Sequence, residues 1–215
     1  MYTPKDFRVD DLAECQQLMA QFPFATLVTP TPDGLVATHL PLYLEPQHGP
    51  CGTLYGHVSR ANLQWQRSDS ESEALAIFAG LDSYISPSWY AAKQQTGRVV
   101  PTWNYTAVHV YGKPRFFDDP AQLRTVVTHL TERHEQTMPT PWQVADAPES
   151  YVEAQLKAII GVELPIARLE AKRKYNQNRS AEDRAGVIAG LRASDDPAKA
   201  AVASLMQQLD DRRQR

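Results

Sequence analysis

Short β-rich runs, each closed by a turn signal, follow one another through the first half of this chain of 215 residues. Residues 24–29 and 35–44 are two such runs, and Pro30–Gly34 between them ends in a glycine that suits a positive φ, so they predict a hairpin. Further strands are predicted at residues 53–58, 74–79, 99–117 and 161–169. Strands this short and this closely spaced predict a mainly β fold that closes into an antiparallel barrel.

Helices are predicted on either side of these strands. One lies at residues 10–21, and a short one at 59–67 has Ser59 as its N-cap. Four more are predicted at residues 118–135, 149–159, 183–191 and 197–211. The length of the chain allows one domain and an appendage. We therefore expect a barrel domain with inserted helices at 1–170, and at 171–215 a basic loop and a helical extension that packs on the barrel or on a partner.

The composition is that of an ordinary soluble globular protein, with 42% hydrophobic and 22% charged residues. The formal net charge of −3 gives no global positive field that would favour nucleic acid, although a local basic patch stays open. Only Cys15 and Cys51 are present, no apolar run is long enough to span a membrane, and the first residues lack the apolar core of a signal peptide. These features predict a cytoplasmic protein.

Residues 56–65 combine a glycine, a histidine, an arginine and a predicted helix start. Where a strand feeds a helix, free backbone N–H groups and the helix dipole form a phosphate site, to which Arg60 can add a bidentate contact and Gly56 a close approach. The alternative is an ordinary turn with Arg60 in a surface salt bridge. His57 also has two interpretations, because a lone strand histidine is more often a hydrogen-bonded core residue than a ligand contact.

Residues 84–105 place aromatic side chains beside small hydroxyls and a lysine. Pro87 removes a ladder donor and so excludes a regular strand there, and Ser86 or Ser88 can cap a short helix that carries Trp89, Tyr90 and Lys93. The alternative is that the tryptophans fill one end of the barrel while the lysine is solvated.

The end of this stretch is too polar and irregular for plain core. Thr102 and Asn104 can meet the polar edge of a ring whose face Trp89 or Trp103 covers. Because both stretches combine cations with aromatic side chains, together they favour a pocket for a flat, anionic ligand.

Two further features have ordinary structural alternatives. His39, His57 and His109 fall on predicted strands and could bind zinc, but no pair has tight ligand spacing, and we expect no metal.

The basic segment 168–184 is consistent with a DNA or phosphate contact, with a solvated loop, or with an arm that reaches a ligand site on a neighbouring subunit. No helix-turn-helix signature accompanies it, and no catalytic residue can be assigned.

Seven segments, in order and over most of the chain, resemble the PaiB family of FMN-binding, split-barrel negative transcriptional regulators. The segments are Met1–Phe7, Pro23–Thr29, His39–Leu42, Gly52–Asn62, Tyr84–Tyr90, Pro101–Tyr105 and Gln177–Arg179. The sequence departs from the family pattern at Leu63, where the family has proline, at Leu81-Asp82 in place of Pro-His, and at Tyr175-Asn176 in place of Leu-Ser. Residues 192–215 lie outside the resemblance.

The resemblance implies a homodimer of split β-barrels of the pyridoxamine-phosphate-oxidase type, with FMN at the subunit interface. The residues it implies are Arg60 and Asn62 for the phosphate; Thr102, Trp103 and Asn104 near the ring or ribityl chain; Ser86, Trp89 and Lys93 along the wall; Gln177 and Arg179 contributed by the second subunit; and His39 and His57 in two of the matching segments.

The resemblance also implies a regulator that represses transcription, either by binding DNA directly or through a partner. One alternative is an FMN-dependent oxidoreductase, linked to flavin or NAD(P)H reduction, with no direct DNA role. Another is a flavin- or haem-type binding protein without turnover. A flavin supplies its own electron chemistry, so the lack of a clear acid–base pair excludes none of these.

Overall fold

The computed structural model describes residues 1–213. The strands in this range are β1 (Arg8–Val9), β2 (Phe24–Thr31), β3 (Gly34–Pro41), β4 (Tyr43–Glu45), β5 (Thr53–Ser59), β6 (Ala74–Ile85), β7 (Thr102–Gly112), β8 (Arg115–Phe117), β9 (Ile159–Pro165) and β10 (Arg168–Lys174). The α-helices are α1 (Leu12–Gln21), α2 (Gln64–Arg67), α3 (Ala92–Thr96), α4 (Pro120–Glu135), α5 (Glu149–Leu156), α6 (Ala181–Arg192) and α7 (Pro197–Arg213). Short 3-10 helices lie at Lys5–Phe7, Pro87–Trp89 and Val144–Asp146. None of the helices within residues 1–213 has the length and apolar character needed to cross a membrane.

Local sequence signals account for several of these elements. Asp11 and Asp119 accept hydrogen bonds from backbone N–H groups three residues ahead, at 2.7 and 2.9 Å, and so begin α1 and α4. Ser180 does the same for α6 at 3.2 Å. Gly34, in the turn between β2 and β3, has a φ of 116°, a value that a side chain would strain. The hairpin predicted from the sequence is confirmed, with Ala25 opposite Leu40.

Contacts divide the chain into two compact units. Unit 1 consists of Met1–Asp10, Ala79–Ala107 and Glu170–Arg215, and unit 2 of Asp11–Phe78 and Val108–Leu169. Both β6 and β7 begin in one unit and end in the other. The predicted domain boundary at residue 170 stays a prediction.

The strands of residues 1–213 form two sheets rather than the single closed barrel that their spacing predicts. The order is β1-β10-β7-β6-β2-β3 in the six-stranded sheet and β4-β5-β9-β8 in the four-stranded sheet. The pairs β2–β3, β2–β6, β4–β5, β5–β9, β8–β9 and β1–β10 are antiparallel. Strand spacing shows that strands follow one another closely, but it does not show where one sheet stops and the next begins.

In unit 2, the four-stranded sheet has two different faces. Leu54 and Val58 of β5 are buried on one face, beside Leu164 and Ile160 of β9, with which they pair. On the other face Tyr55 packs with α4, which contributes buried Val126 and Leu130. The alternation along β5 therefore separates an apolar core from a layer beneath helices.

Gly56 of β5 lies on the core face, where its missing side chain has a packing reason. A Cβ at this position would come within 2.7 Å of both the Pro41 carbonyl oxygen and a Leu42 methyl group. The predicted close approach of a ligand to Gly56 is therefore wrong, because the protein itself occupies that space.

In unit 1, α6 and α7 pack together over the ends of β6 and β10. The buried cluster there comprises Ile85, Tyr90, Tyr175, Val187, Ile188, Leu191, Val202, Ala203 and Met206. Residues 192–213, which the family resemblance does not reach, thus supply part of the core of this unit.

Two predicted elements differ from the structure. The helix predicted at 59–67 is reduced to α2, because Arg60 N pairs with the Ala158 carbonyl oxygen at 2.8 Å and Asn62 N closes a turn onto Ser59. The loop predicted from Lys172 is a strand as far as Lys174, since β10 pairs with β1. Partners distant in sequence decide both outcomes.

Candidate functional site

The residues predicted to bind a cofactor fall in both units. Unit 2 holds His39, His57, Arg60 and Asn62. Unit 1 holds Ser86, Trp89, Lys93, Thr102, Trp103, Asn104, Gln177 and Arg179.

Arg60 is bound to protein acceptors within unit 2. Its Nε donates to the Lys157 carbonyl oxygen at 2.7 Å, and its two terminal nitrogens lie 3.4 Å from the Ile159 carbonyl oxygen and from Asp118 Oδ2. The guanidinium thereby joins the end of β5 to the junction of α5 and β9. A four-residue helix begins only at Gln64, so the predicted helix start beside Arg60 is wrong. The phosphate contact of Arg60 stays a prediction.

Asn62 fixes the turn that follows β5. Its Nδ2 donates to Thr38 Oγ1 at 2.8 Å, and its Oδ1 accepts from the backbone N of Gln64 at 3.0 Å. Gln64, which the sequence did not single out, is buried and its Nε2 reaches the carbonyl oxygens of Leu27 and Val36 at 3.3 and 3.2 Å. The turn is therefore held against the β2–β3 hairpin.

The two histidines of unit 2 have different surroundings. His39 is exposed, its Nδ1 lies 2.9 Å from Thr26 Oγ1, and its ring stacks on Phe24 with centroids 6.3 Å apart. His57 is half-buried, and burial lowers the pKa of its imidazole. Within residues 1–213 the buried Nδ1 of His57 has no hydrogen-bond partner.

In unit 1, an exposed aromatic pair lies beside a lysine. Tyr84 and Trp103 are 45% and 54% exposed and meet edge-to-face with ring centroids 6.2 Å apart. The Lys174 ammonium contacts the Thr102 hydroxyl and donates to the Trp103 carbonyl oxygen at 2.7 Å. Burial, and then the charge of Lys172, lower the pKa of Lys174.

A second lysine lies two positions earlier on the same strand. Lys172 is only 6% exposed, donates to the Tyr2 carbonyl oxygen at 3.1 Å, and holds its ammonium 5.1 Å from the centre of the Tyr105 ring. No carboxylate of residues 1–213 forms an ion pair with either lysine, and the nearby Glu170 pairs with the Met1 ammonium. We call the set Tyr84, Trp103, Tyr105, Lys172 and Lys174 the basic aromatic face.

The spacing of the two lysines is visible in the sequence. It places both side chains on one side only if the segment is a strand, and the sequence predicts a loop from Lys172. Lys172 and Lys174 are two residues apart, so on a strand their side chains point to the same side. Five of the seven residues 168–174 are charged, and Leu169 and Ala171 alone give too short an apolar alternation to predict a strand.

Asn104 is buried away from solvent in unit 1. Its Nδ2 donates to Asn176 Oδ1 at 2.6 Å, and Asn176 Nδ2 donates to the Tyr90 hydroxyl at 2.8 Å. Asn176 has a φ of 61°, which an asparagine tolerates better than most residues. The predicted contact of Asn104 with a ring edge stays a prediction, and its amide belongs to a buried network.

The predicted wall residues form a local cluster in unit 1. Of the two predicted caps, Ser86 begins the 3-10 helix Pro87–Trp89 by accepting a hydrogen bond from Ser88 N at 3.2 Å, whereas Lys93 lies on the separate helix α3. Exposed Lys93 donates to Ser88 Oγ at 3.0 Å. Trp89 lies against α6, where a Cβ on Gly190 would come 2.4 Å from its indole. A ligand role for these three side chains stays a prediction.

Gln177 and Arg179 are likewise bound inside unit 1. The Gln177 amide accepts from Tyr175 N and donates to the Arg173 carbonyl oxygen, both at 2.6 Å. The Arg179 guanidinium lies 5.1 Å from the centre of the Tyr90 ring. Their contribution to the site of a second subunit stays a prediction.

The donor set of the basic aromatic face fits a flat ligand that carries a phosphate. Aromatic rings cover a planar ring system, and two ammonium groups without carboxylate partners can pair with an anion. Among residues 1–213, no three His, Cys, Asp or Glu side chains come together in a group that could hold a metal ion.

Comparison with known proteins identifies relatives over most of the chain. The family model described as "Putative FMN-binding domain" matches residues 1–168. The chain is 32% identical over 209 residues to the protease synthase and sporulation protein PAI 2 of Bacillus subtilis, a match that covers 96% of this chain and 97% of the relative.

Two solved structures share the fold. One is the FAD and heme binding protein from Mycobacterium smegmatis, with a TM-score of 0.57, 16% identity, and coverage of 83% of this chain and 78% of that one. The other is a conserved hypothetical protein from Mycobacterium tuberculosis, with a TM-score of 0.58, 14% identity, and coverage of 83% and 92%. At these identities the likeness concerns the fold alone.

Proposed function

This chain belongs to the PaiB family of FMN-binding, split-barrel proteins, and from that membership we propose that it is a dimeric, cytoplasmic flavoprotein that represses transcription. FMN is the cofactor of the family. The predicted fold class, mainly β with flanking helices in a split barrel, is confirmed. When bound, FMN supplies hydride or single-electron transfer.

The basic aromatic face is the observation that carries the cofactor part of the proposal. A buried ammonium such as that of Lys172 is costly unless it is paired, and its contacts are a carbonyl oxygen and aromatic rings. Lys174 adds a second positive charge, bound to a hydroxyl and a carbonyl oxygen. An anionic ligand placed over Trp103 and Tyr105 would supply the missing counter-charge. We propose that these residues hold FMN, with Thr102 positioning Lys174.

An exposed apolar surface in unit 2 supports the dimer. Phe24 and Leu35, on neighbouring strands of the β2–β3 hairpin, are 66% and 77% exposed. Val28, opposite Ala37, lies between them on the same face. The pair Thr26–His39 interrupts these apolar groups on the same face. Exposed apolar groups on a sheet face are typical of a protein–protein interface, and a second copy of this chain is the occupant that the family resemblance implies.

The regulatory part of the proposal rests on the family. The Bacillus subtilis relative is named the protease synthase and sporulation protein PAI 2, a name that includes sporulation and gives no substrate. The net charge of −3 disfavours a non-specific hold on DNA, so repression through a protein partner is as consistent with this chain as direct binding.

An FMN titration tests the cofactor site. We expect the purified protein to bind FMN with quenching of flavin fluorescence, and Lys172→Met or Lys174→Met to weaken binding by about 1.5–3 kcal/mol, the range for a hydrogen bond to a charged group. Lys5→Met is the matched control, because Lys5 is an exposed lysine of the same unit, outside the face. Arg60→Ala in the same series tests the other predicted phosphate contact.

The result that would overturn the cofactor site is wild-type affinity in both lysine variants. For the functional part, salt-sensitive binding to a specific DNA sequence would indicate a direct repressor. Steady oxidation of NADH or NADPH by the FMN-loaded protein would instead indicate an oxidoreductase and contradict the regulatory proposal.

A further inference from the structure

Unit 2 contains a cavity of about 250 Å3 beneath α4 and α5, separate from the basic aromatic face. We propose that this cavity binds a small, uncharged aromatic molecule that carries one hydrogen-bonding group, such as a phenol. The lining residues are His57, Val127, Trp142, Val144, Ala147, Tyr151, Val152, Gln155, Leu156 and Ile159.

The walls of the cavity determine the charge of its ligand. The lining contains no Asp, Glu, Lys or Arg side chain. An ion placed there would lose its hydration without gaining a partner, which is costly. Aliphatic side chains from α4, α5 and β9 instead offer van der Waals contact to an apolar ring. The ligand must therefore be neutral, which excludes a phosphate-bearing molecule.

Two aromatic residues mark the cavity as a site for a ring. Trp142 and Tyr151 are 45% and 58% exposed although both line the cavity. Large aromatic side chains that stay exposed beside a concave surface are typical of ligand sites, because a bound ring can stack against them.

His57 supplies the hydrogen-bonding partner. The side chain lines the cavity, and its Nδ1, which is buried from solvent, has no partner among residues 1–213; a ligand hydroxyl reaches that atom when the imidazole turns toward the cavity. Burial lowers the pKa of the imidazole, so at neutral pH the ring is uncharged and has one N–H donor and one acceptor nitrogen. A ligand hydroxyl can pair with either form.

The volume limits the ligand to one or two rings. Apolar cavities of about 150 Å3 accept benzene, whereas pockets for drug-sized molecules run from about 300 Å3 upward. A cavity of about 250 Å3 lies between these values. It is too small and too apolar for FMN, so this proposal does not depend on the cofactor site.

The probes that test this proposal are 4-fluorophenol and fluorobenzene, followed by fluorine NMR on the full chain with and without added FMN. We expect 4-fluorophenol to bind with a dissociation constant near or below about 1 mM, whether or not FMN is present. His57→Phe keeps a ring but removes the hydrogen bond, so it should weaken 4-fluorophenol binding about tenfold and leave fluorobenzene unchanged.

Substitutions at two alanines, one in the cavity wall and one outside it, test where the probes bind. Ala147→Leu fills the cavity from its wall and should abolish binding of both probes, whereas Ala145→Leu, at an exposed position outside the lining, should leave it intact. FMN affinity should be unchanged in both, which separates this test from that of the cofactor site. The proposal is overturned if the unmodified chain binds neither probe at 10 mM, if Ala147→Leu binds like wild type, or if His57→Phe affects both probes equally.

Discussion

At the scale of single residues, Tyr175 is a buried tyrosine at the position where the family pattern that the sequence resembles has leucine. Its side chain is 1% exposed, and its hydroxyl donates to the Leu81 carbonyl oxygen at 2.7 Å and lies 2.8 Å from Thr106 Oγ1. Burial raises the pKa of Tyr175 to about 12. The substitution therefore places a hydrogen-bonded phenol, rather than a hydrocarbon, in the core of unit 1.

The raised pKa predicts a loss of stability in alkaline solution. Between pH 10 and about 12 the unfolded chain releases the phenol proton while the folded chain keeps it, so the free energy of unfolding falls as pH rises. For a shift of this size the loss is about 2–3 kcal/mol above both pKa values, and about half of that at pH 11. Tyr175→Phe should reduce the loss, measured as urea unfolding at pH 8 and pH 11, and should itself cost about 1–2 kcal/mol at pH 8.

Tyr43 contributes a further loss of stability at alkaline pH to both wild type and variant. Burial raises its pKa as well, so wild type and variant should both lose stability, the variant less. An equal loss in the two proteins would mean that Tyr175 does not hold its proton as described.

At the scale of elements, the packing of Trp89 on α6 depends on two glycines. A Cβ on Gly186 would come 2.1 Å from the Trp89 carbonyl oxygen, and one on Gly190 would come 2.4 Å from the indole ring. Glycine ordinarily weakens a helix by about 1 kcal/mol relative to alanine. Close approach of the 3-10 helix, rather than helix stability, explains these glycines.

Gly190→Ala therefore tests this packing by the sign of its effect. Helix propensity alone predicts stabilisation of about 1 kcal/mol, whereas the clash with Trp89 predicts destabilisation of about 1–3 kcal/mol in urea unfolding. In a Trp89→Ala background the clash is absent, and the same substitution should become neutral or stabilising. Destabilisation of equal size in both backgrounds would contradict the contact.

Elements whose pattern is local were predictable, and elements fixed by distant partners were not. The β2–β3 hairpin and the capped helices α1 and α4 carry their own signals, in a turn glycine and capping aspartates. By contrast, the helix predicted from Ser59 does not form there, because Arg60 N instead donates a hydrogen bond to the carbonyl oxygen of Ala158, 98 residues later. Likewise, β10 is a strand because it pairs with β1. The candidate site shows the same limit, because the charges of Lys172 and Lys174 were visible but their strand was not.

At the scale of the whole molecule, the exposed hairpin face predicts the assembly state. We expect the protein to sediment as a dimer, and Leu35→Glu to shift it toward monomer, because a charge buried in an apolar interface is desolvated without a partner. Met138→Glu is the matched control, since Met138 is 50% exposed and lies in the connection after α4, outside the hairpin.

Analytical ultracentrifugation at several concentrations measures both variants. A wild-type monomer at high micromolar concentration would refute the dimer, and equal behaviour of the two variants would place the interface elsewhere.

Neither sheet composition nor the division into units could be derived from the sequence, because both depend on pairings between segments far apart in the chain.

The chain crosses between its two units at residues 10–11, 78–79, 107–108 and 169–170. No single break in the gene separates one unit from the other, because an exchange of either end at a point between residues 11 and 169 replaces parts of both. The units therefore have to be inherited together. Descendants of this protein can diverge by substitution and by changes in loops, but neither unit can be passed to an unrelated protein as one continuous module.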